Sequence, residues 1–259
     1  MSTLTHVRHA TVLIEIGGQT MLVDPMLGDQ DAYAAVEGTM NPRTWPLVGL
    51  PVPARDVVAR ATGVLFTHTH VDHVDDLALG LVAEARLPVF CQPEDEAELR
   101  RRGVEDVRPV AGSATFGALS IVRTGGRHGT GETADLMGPV SGYVLVDPSA
   151  SDSVYVAGDT VWCAEVRDVL DGHQPVVTIV NSGEARMEDG DPITMSAADV
   201  LAVARALPAT VVVAVHLEAL NHCGLTRYAL AEEVRAAGAR VLIPADGERI
   251  ELAVSAPAS

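Results

Sequence analysis

The chain has 259 residues, of which 35 are acidic and 18 basic, so its formal net charge is −17 at pH 7. This charge disfavours binding to nucleic acid and to anionic membrane surfaces, because both need Lys or Arg to neutralise phosphates. Hydrophobic residues make up 47% of the chain, which is typical of a globular protein and excludes a disordered or collagen-like one. No stretch approaches the roughly 18 consecutive apolar residues of a membrane span.

The chain contains few cysteines, namely Cys91, Cys163 and Cys223. An odd and sparse set disfavours a disulfide scaffold and favours a reducing cytoplasm. The first residues show no basic segment followed by an apolar core, so we expect no signal peptide. We expect one domain over residues 1–259, with two αβ halves that meet near residues 135–140. The many Val and Leu residues fit buried sheets or an oligomer interface, so a homo-oligomer stays open.

The predicted elements begin with a hairpin, because apolar runs at 11–16 and 20–25 flank Gly17 and Gly18. Residues 26–56 lack periodicity, and a stretch of this length predicts a functional loop, either a lid or a binding loop. Residues 63–66 form a short apolar run that is typical of a buried strand.

In the remaining chain, segments with the 3.6-residue period of a helix alternate with apolar runs typical of strands. We predict helices over 74–86, 93–102, 161–171, 196–206 and 226–237, and strands over 104–110, 115–123, 141–146, 153–157, 175–181, 210–216 and 240–243. Thr194 or Ser196, and also Thr226, are suitable N-cap residues. Strands followed by alternating helices and strands in each half predict two sheets packed face to face, with helices outside.

The strongest functional pattern directly follows the run at 63–66. Four side chains that bind metals, His68, His70, Asp72 and His73, fall within six residues at the end of a predicted strand. Imidazole and carboxylate groups suit zinc, iron and manganese. Three histidines side by side cannot enter an apolar core without polar partners, so the pattern favours a metal site.

These residues match the motif His-x-His-x-Asp-His of the metallo-β-lactamase superfamily, which the chain resembles. Further motif residues follow in the order found in that family, namely His128 before Gly129, Asp159 after Gly158, and His216 at the end of an apolar run. The resemblance implies an αββα four-layer sandwich of the metallo-β-lactamase type. It also implies two divalent metal ions at the sheet edge. Zn²⁺ is the first candidate, and Mn²⁺ and Fe²⁺ are the alternatives.

The resemblance also implies a set of ligands. It assigns His68, His70 and His128 to the first ion, Asp72, His73 and His216 to the second, and Asp159 to a bridging position. The alternative final ligand is His222, six residues beyond His216. We favour His216, because it ends a predicted strand and metal sites are held best by rigid elements.

Two cations about 3.5–4 Å apart can share one water molecule and lower its pKa toward neutrality. The resulting hydroxide attacks a carbonyl or phosphoryl centre, and Asp72 is the candidate catalytic residue that accepts a proton. Residues 8–14 and 22–25 resemble the group of the L-ascorbate-6-phosphate lactonase. This likeness implies a hydrolase of a small lactone, ester, amide or phosphoester.

Two alternatives to this hydrolase remain. One is a mononuclear iron sulfur dioxygenase, which has the same fold and a similar histidine motif. The other is a non-catalytic metal-binding protein that keeps the fold without the chemistry.

The remaining candidates either contact a metal ligand or line a substrate pocket. They are His9, Asp24, Arg43, Trp45, Trp162, Asn221 and His222. A lone histidine such as His9 fits a structural role equally well, and Asp24 either orients a metal-bound imidazole or caps a turn. We interpret His6 and His173 as surface residues and Cys223 as a small buried residue. The expected partner is a small-molecule substrate, without nucleic acid or membrane.

Overall fold

The computed structural model describes residues 2–39, 41–150, 152–187 and 190–252. Its strands form two mixed sheets of seven strands each. The first sheet contains β1 (Thr3–Arg8), β2 (Thr11–Ile16), β3 (Gln19–Val23), β4 (Gly63–Leu65), β5 (Val89–Cys91) and β6 (Val107–Pro109). The second contains β7 (Ser113–Phe116), β8 (Leu119–Thr124), β9 (Gly142–Asp147), β10 (Asp152–Val156), β11 (Val177–Asn181), β12 (Val211–Val215) and β13 (Val241–Leu242). The last strand, β14 (Arg249–Glu251), returns to the first sheet and pairs with β1.

Each sheet changes from antiparallel to parallel pairing partway across. The strands β1, β2 and β3 are antiparallel, whereas β3 to β6 run parallel to one another. In the second sheet β7 to β10 are antiparallel, and β10 to β13 are parallel. The carboxyl ends of the parallel strands therefore share one edge of each sheet, where the loops carry functional residues.

The described part of the chain contains seven α-helices. They are α1 (Ala54–Ala59), α2 (Asp76–Ala85), α3 (Glu96–Arg101), α4 (Gly131–Met137), α5 (Ala164–His173), α6 (Ala197–Ala206) and α7 (Arg227–Ala237), with a 3₁₀ turn at Pro93–Asp95. The helices α1 to α3 pack on the first sheet, and α5 to α7 pack on the second. The predicted αββα sandwich is confirmed.

The period-two pattern of the strands separates the layers. In β2, Val12 and Ile14 point between the two sheets, whereas Leu13 points toward the helices of the first layer. In β12, Val213 packs between the sheets and Val212 packs under the helices of the second layer. A strand with apolar side chains on both faces is expected wherever both faces are covered.

The polar residues before several helices act as caps. The side chain of Ser196 accepts a hydrogen bond from Asp199 N and forms a capping box at α6, and Thr226 accepts from Ala229 N at α7. Both predicted caps are confirmed. The alternative, Thr194, is buried and instead accepts a hydrogen bond from the backbone N–H of Ala185.

The sequence-based elements agree with the structure except where local signals are weak. The region 115–123 was expected as one strand, but it is a hairpin of β7 and β8 that turns at Gly117 with φ +60°. The elements β1, β5, α1, α4 and β14 were not predicted from the sequence. No helix in the described part of the chain is long and apolar enough to cross a membrane.

The long segment over 26–53, described except for residue 40, is irregular as expected. Tyr33 and Trp45 form an isolated antiparallel bridge within it. Trp45 is buried and packs against Met26 and Leu220. The segment is thereby anchored to the loop that follows β12.

Candidate metal centre

The predicted ligands lie in loops at the carboxyl ends of the parallel strands. The motif that begins at His68 follows β4, Asp159 follows β10, and His216 directly follows β12. Because these ends face one another across the sandwich, residues about 150 positions apart in sequence meet at one edge.

The structure brings all seven predicted ligands together in three overlapping groups. Within each group the ligand atoms lie within 4.8 Å of one another: His68, His70 and His128; His68, His73 and Asp159; His9, Asp72, His73 and His216. The third group includes His9, whose role the sequence left open. These clusters of imidazole and carboxylate groups are suited to metal binding.

Two carboxylates face the ring nitrogens at the centre of the clusters. Oδ2 of Asp159 lies 3.3 Å from Nε2 of His73 and 3.4 Å from Nε2 of His128. Oδ2 of Asp72 lies 3.4 Å from Nε2 of His216 and 3.2 Å from Nε2 of His9. Each carboxylate therefore borders several ring nitrogens, so a cation placed between them would meet both kinds of donor.

The fit of a cation can be tested from the polar atoms that lack a partner. The Nε2 atoms of His68, His73 and His216 are buried and make no hydrogen bond. Leaving a buried polar atom unpaired costs free energy, so such atoms are rare in a folded protein. A divalent cation between these nitrogens and the carboxylates would satisfy them, and the donor set fits such an ion.

The other nitrogen of each ring fixes its orientation. Nδ1–H of His73 donates to Oδ2 of Asp24 at 2.9 Å, and Nδ1–H of His128 donates to the carbonyl of Ile193 at 2.8 Å. Nδ1 of His68 lies 3.0 Å from Oγ1 of Thr67. Such contacts select the tautomer that directs Nε2 toward the metal centre.

Asp24 makes the contact that its position suggested. Besides the ring of His73, its carboxylate accepts hydrogen bonds from the backbone N–H of Thr67 at 2.8 Å and from Oγ1 of Thr67 at 2.7 Å. Asp24 adopts a positive φ of +43°, a conformation that Asp and Asn tolerate better than most residues. It therefore joins the end of β3 to the start of the histidine motif.

His9 is buried beside the second group of ligands. Its ring centroid lies 3.7 Å from that of His216, and its carbonyl accepts a hydrogen bond from the backbone N–H of His216 at 2.9 Å. Nε2 of His6 donates to the same carbonyl at 3.0 Å. The prediction of His6 as a surface residue is wrong, because its side chain is fully buried, whereas His173 is exposed as expected.

The electrostatics of the site favour ionised carboxylates. Burial alone would raise the pKa of Asp72, but His73, His216 and His9 hold it well below its ordinary value. The pKa of Asp159 is held low in the same way, chiefly by His216 and His73. Two buried carboxylates that keep their negative charge attract cations to this edge of the fold.

The pKa values of two neighbouring histidines shift in opposite directions. Burial lowers the pKa of His9 to about 3, and the adjacent ring of His216 contributes to this shift. In His216 burial is outweighed by the combined effect of Asp159, Cys223 and Asp72, and its pKa rises to about 10. A neutral His9 beside His216 avoids placing two positive rings in contact.

A cavity of about 240 Å³ opens onto the clusters. Outside the predicted ligands and His222, its wall is apolar and consists of Val36, Val71, Met137, Ala185, Met187 and Ile193. Neither Arg nor Lys occurs among its lining residues in the described part of the chain. The cavity therefore suits a small, uncharged group next to the metal centre.

The candidate pocket residues separate in the structure. His222 lines the cavity, while Trp162 lines a neighbouring groove of about 850 Å³ that shares only His128 with it. Asn221 is buried, and its Nδ2 donates to the carbonyl of Asn41 at 2.6 Å. Asn221 thus holds the long irregular segment in place and takes no part in the cavity wall.

Two of these candidates have other surroundings than expected. Trp45 is only 2% exposed and belongs to a core cluster with Met26, because a large aromatic ring gains more from burial than from a polar loop surface. Arg43 is exposed and lies outside the cavity wall, and its backbone N–H donates to Asn41. The prediction of both as pocket residues is corrected accordingly.

Several functional contacts were missed from the sequence. Nδ2 of Asn181 donates to Oδ1 of Asp159 at 2.6 Å. Its position at the end of a predicted strand, beside the strand that precedes Asp159, was a usable signal. The carbonyl of Ile193 and the side chain of Met137 left no such signal, because they reach the site from irregular segments.

Two sheets flanked by helices, with a cluster of His and Asp side chains at the shared edge, define a protein of the metallo-β-lactamase fold. The family model of the beta-lactamase superfamily domain matches residues 19–217. The chain belongs to this family.

Relatives agree over almost the whole chain. The UPF0173 protein YddR of Bacillus subtilis is 34% identical over 250 residues, which cover 95% of this chain and 98% of that protein. An isothiocyanate hydrolase from Delia radicum gut bacteria is 34% identical, with a TM-score of 0.89 over 96% of this chain and 98% of the other. A possible metal-dependent hydrolase from Veillonella parvula DSM 2008 is also 34% identical, with a TM-score of 0.92 over 96% and 99% of the two chains. The narrower likeness to the lactonase group stays a prediction.

Proposed function

We propose that this protein is a metal-dependent hydrolase that holds two divalent ions, Zn²⁺ first, and cleaves a small uncharged substrate at an electrophilic carbon. The observation that carries the proposal is the set of unpaired Nε2 atoms of His68, His73 and His216 beside two ionised carboxylates. The proposed metal ligands are the seven predicted ones, namely His68, His70, Asp72, His73, His128, Asp159 and His216. In addition, Nε2 of His9 lies 3.2 Å from the carboxylate of Asp72 and supports it.

When bound, two divalent ions would lower the pKa of a water molecule toward neutrality and polarise the oxygen or sulfur atom bonded to the carbon under attack. The chain contributes orientation and proton transfer. Asp72 lines the cavity with its ionised carboxylate and is placed to accept a proton from the attacking water. Asp24 and the carbonyl of Ile193 hold the rings of His73 and His128 in their productive orientation.

The cavity wall narrows the substrate class expected from the sequence. A phosphomonoester carries two negative charges, and the cavity wall offers neither Arg nor Lys in the described residues to pair with them, so the wall favours a neutral substrate. The candidate substrates are therefore neutral esters, lactones and amides. The similar protein named isothiocyanate hydrolase adds isothiocyanates, whose electrophilic carbon is also uncharged. Hydrolysis of an isothiocyanate consumes one water and releases an amine and carbonyl sulfide, so the same attack on carbon serves both kinds of substrate.

The test combines elemental analysis with turnover. We expect about two zinc or manganese ions per metal-replete chain, and loss of benzyl isothiocyanate or of a neutral lactone at a rate that Asp72→Ala abolishes while the chain stays folded. Failure of the metal-replete protein to exceed D72A on any isothiocyanate, lactone, ester or amide would refute the hydrolase. About one iron per chain with oxygen consumption would favour the dioxygenase instead.

A further inference from the structure

The ring of His216 has a different partner from the other rings of the metal centre. Nδ1 of His68, His73 and His128 contacts oxygen atoms at 2.8 to 3.0 Å. Nδ1 of His216 instead lies 3.6 Å from Sγ of Cys223, and the same Sγ lies 3.7 Å from the carbonyl oxygen of His216. The thiol can therefore accept a hydrogen bond from the ring and donate one to the backbone of the same residue.

The contact between Cys223 and His216 is enclosed by backbone. A Cβ atom at Gly183 would lie 2.4 Å from the carbonyl oxygen of His216, 2.6 Å from Sγ of Cys223 and 3.0 Å from Nδ1 of His216. Such distances are too short for any side chain, so glycine is required there. On its other side, Cys223 is fixed by an isolated bridge to Ala185. The backbone of Gly183 therefore packs closely against both the thiol and the ring.

The backbone of His216 adopts an uncommon conformation where it contacts Cys223. Its φ of +67° is a conformation that a histidine rarely adopts, and its Nε2 must reach both Asp72 and Asp159. Cys223 is only half-buried, because it also lines a cavity of about 330 Å³ with Arg186 and His222. Small reagents therefore have a route to the thiol through this cavity, which shares Met187 and His222 with the cavity at the metal centre.

We propose that Cys223 is the positioning residue of His216, and that modification of its thiol weakens the binding of one of the two metal ions. The inference rests on the metal centre of the proposed function. A group added to Sγ has no space toward Gly183, and it replaces the S–H hydrogen that the thiol donates to the carbonyl oxygen of His216. In Cys223→Ser the C–O bond is shorter than the C–S bond of cysteine. The hydroxyl would therefore lie farther from Nδ1 and the carbonyl oxygen of His216 and replace these two contacts only in part.

The first experiment compares metal affinities. Cys223→Ala, Cys223→Ser and the matched control Cys163→Ala are titrated with zinc against a chromophoric chelator, and their unfolding midpoints are measured in saturating zinc. We expect C223A to bind one ion about 10- to 100-fold more weakly, C223S to fall between C223A and the unmodified chain, and C163A to match the unmodified chain. Equal affinities in C223A and the unmodified chain would overturn the proposal.

The second experiment keeps the natural side chain. Iodoacetamide forms a carbon–sulfur bond with the thiolate of Cys223, iodide leaves and the thiol proton passes to solvent. We expect alkylation to release about one zinc ion per chain from the unmodified protein and from C163A, and none from zinc-saturated C223A. Retention of both ions by protein whose Cys223 is shown by mass spectrometry to be alkylated would contradict the inference. An unmodified chain that binds no zinc would instead refute the metal centre, and the role of Cys223 with it.

Discussion

At the residue scale, one carboxylate connects two parts of the metal centre. Asp24 accepts hydrogen bonds from Nδ1–H of His73 and from both the backbone and the hydroxyl of Thr67, which in turn lies 3.0 Å from Nδ1 of His68. A proton on each Nδ1 leaves each Nε2 free as a metal ligand. The orientation of two rings from different predicted metal sites therefore depends on a single side chain.

Asp24→Asn is the sharpest test of this link. Asparagine keeps the size of the side chain and tolerates the positive φ of +43°, so the fold should survive. The amide has one acceptor oxygen in place of the carboxylate, and its charge is lost. We expect metal affinity to fall about 10- to 100-fold in a chelator competition. The exposed control Asp171→Asn removes the same charge elsewhere and should leave affinity unchanged, while equal affinity in D24N would disprove the orienting role.

A second residue-scale prediction concerns Asp95. Its carboxylate accepts hydrogen bonds from Gln92 and Thr69, but burial raises its pKa to about 6, and nearby Glu98 and Glu94 add to the shift. Because the folded-state pKa lies above the ordinary value, the folded state favours the protonated carboxyl. Its contribution to stability is present at low pH and is lost as the pH rises through about 6.

We therefore expect Asp95→Asn to raise the midpoint of thermal unfolding at pH 8 by at least about 2 °C, which corresponds to about 1 kcal/mol in a chain of this size. The gain should disappear near pH 4, where the native carboxyl is protonated. Asp171→Asn again serves as the control for the change in net charge. A gain that is the same at both pH values would show that the titration of Asp95 is not its cause.

Single residues also show where sequence analysis reaches its limit. The seven proposed ligands could be predicted because their order along the chain resembles that of the metallo-β-lactamase superfamily. His6 and Trp45 were misjudged, because nothing in the sequence distinguishes a histidine or tryptophan in the core from one on the surface. Their environment depends on partners far away in the chain, such as the carbonyl of Ala245 for His6 and Leu220 for Trp45.

At the scale of elements, prediction succeeded where periodicity was strong. The hairpin of β2 and β3 and the helices α5 to α7 carry clear apolar patterns and were found. The helix α4 has no buried residue, so it carries no apolar face that a pattern could reveal. It is bounded by Gly131 and Gly138, both with positive φ, and yet it places Met137 in the wall of the cavity.

This geometry predicts that α4 helps to set substrate size. Met137→Ala should enlarge the cavity, and the ratio of kcat/KM for a long to a short alkyl isothiocyanate should rise about 10-fold or more, since each methylene in an apolar pocket is worth about 1–3 kcal/mol. The neighbouring Leu136 is 81% exposed, so Leu136→Ala provides the control on the same helix. An unchanged ratio in M137A would remove Met137 from the substrate wall. The same comparison can be made with alkyl esters.

At the scale of the whole molecule, the proposed ligands connect the two halves of the sandwich. The motif at 68–73 follows a strand of the first sheet, whereas Asp159 and His216 follow strands of the second. The first sheet is itself completed by β14 from the end of the described chain, which pairs with β1. The order of the motif residues and strands along the chain allowed this arrangement to be predicted from the sequence. The cavity wall could not be predicted in this way, because Val36, Met137 and Met187 come from segments far apart in the chain.

Ligands drawn from both sheets should make the bound ions part of the stability of the fold. An ion that binds only the folded chain stabilises it by about 2.7 kcal/mol at 100 times its dissociation constant. In a chain of this length that corresponds to a midpoint about 5–10 °C higher. We therefore expect a chelator to lower the unfolding midpoint by this amount and added zinc to restore it. The exposed His173→Ala variant should keep the full response, whereas His68→Ala should lose most of it, because only His68 lies among the clustered nitrogens. A response of equal size in both variants would mean that the ions bind elsewhere, and that the two sheets hold together without them.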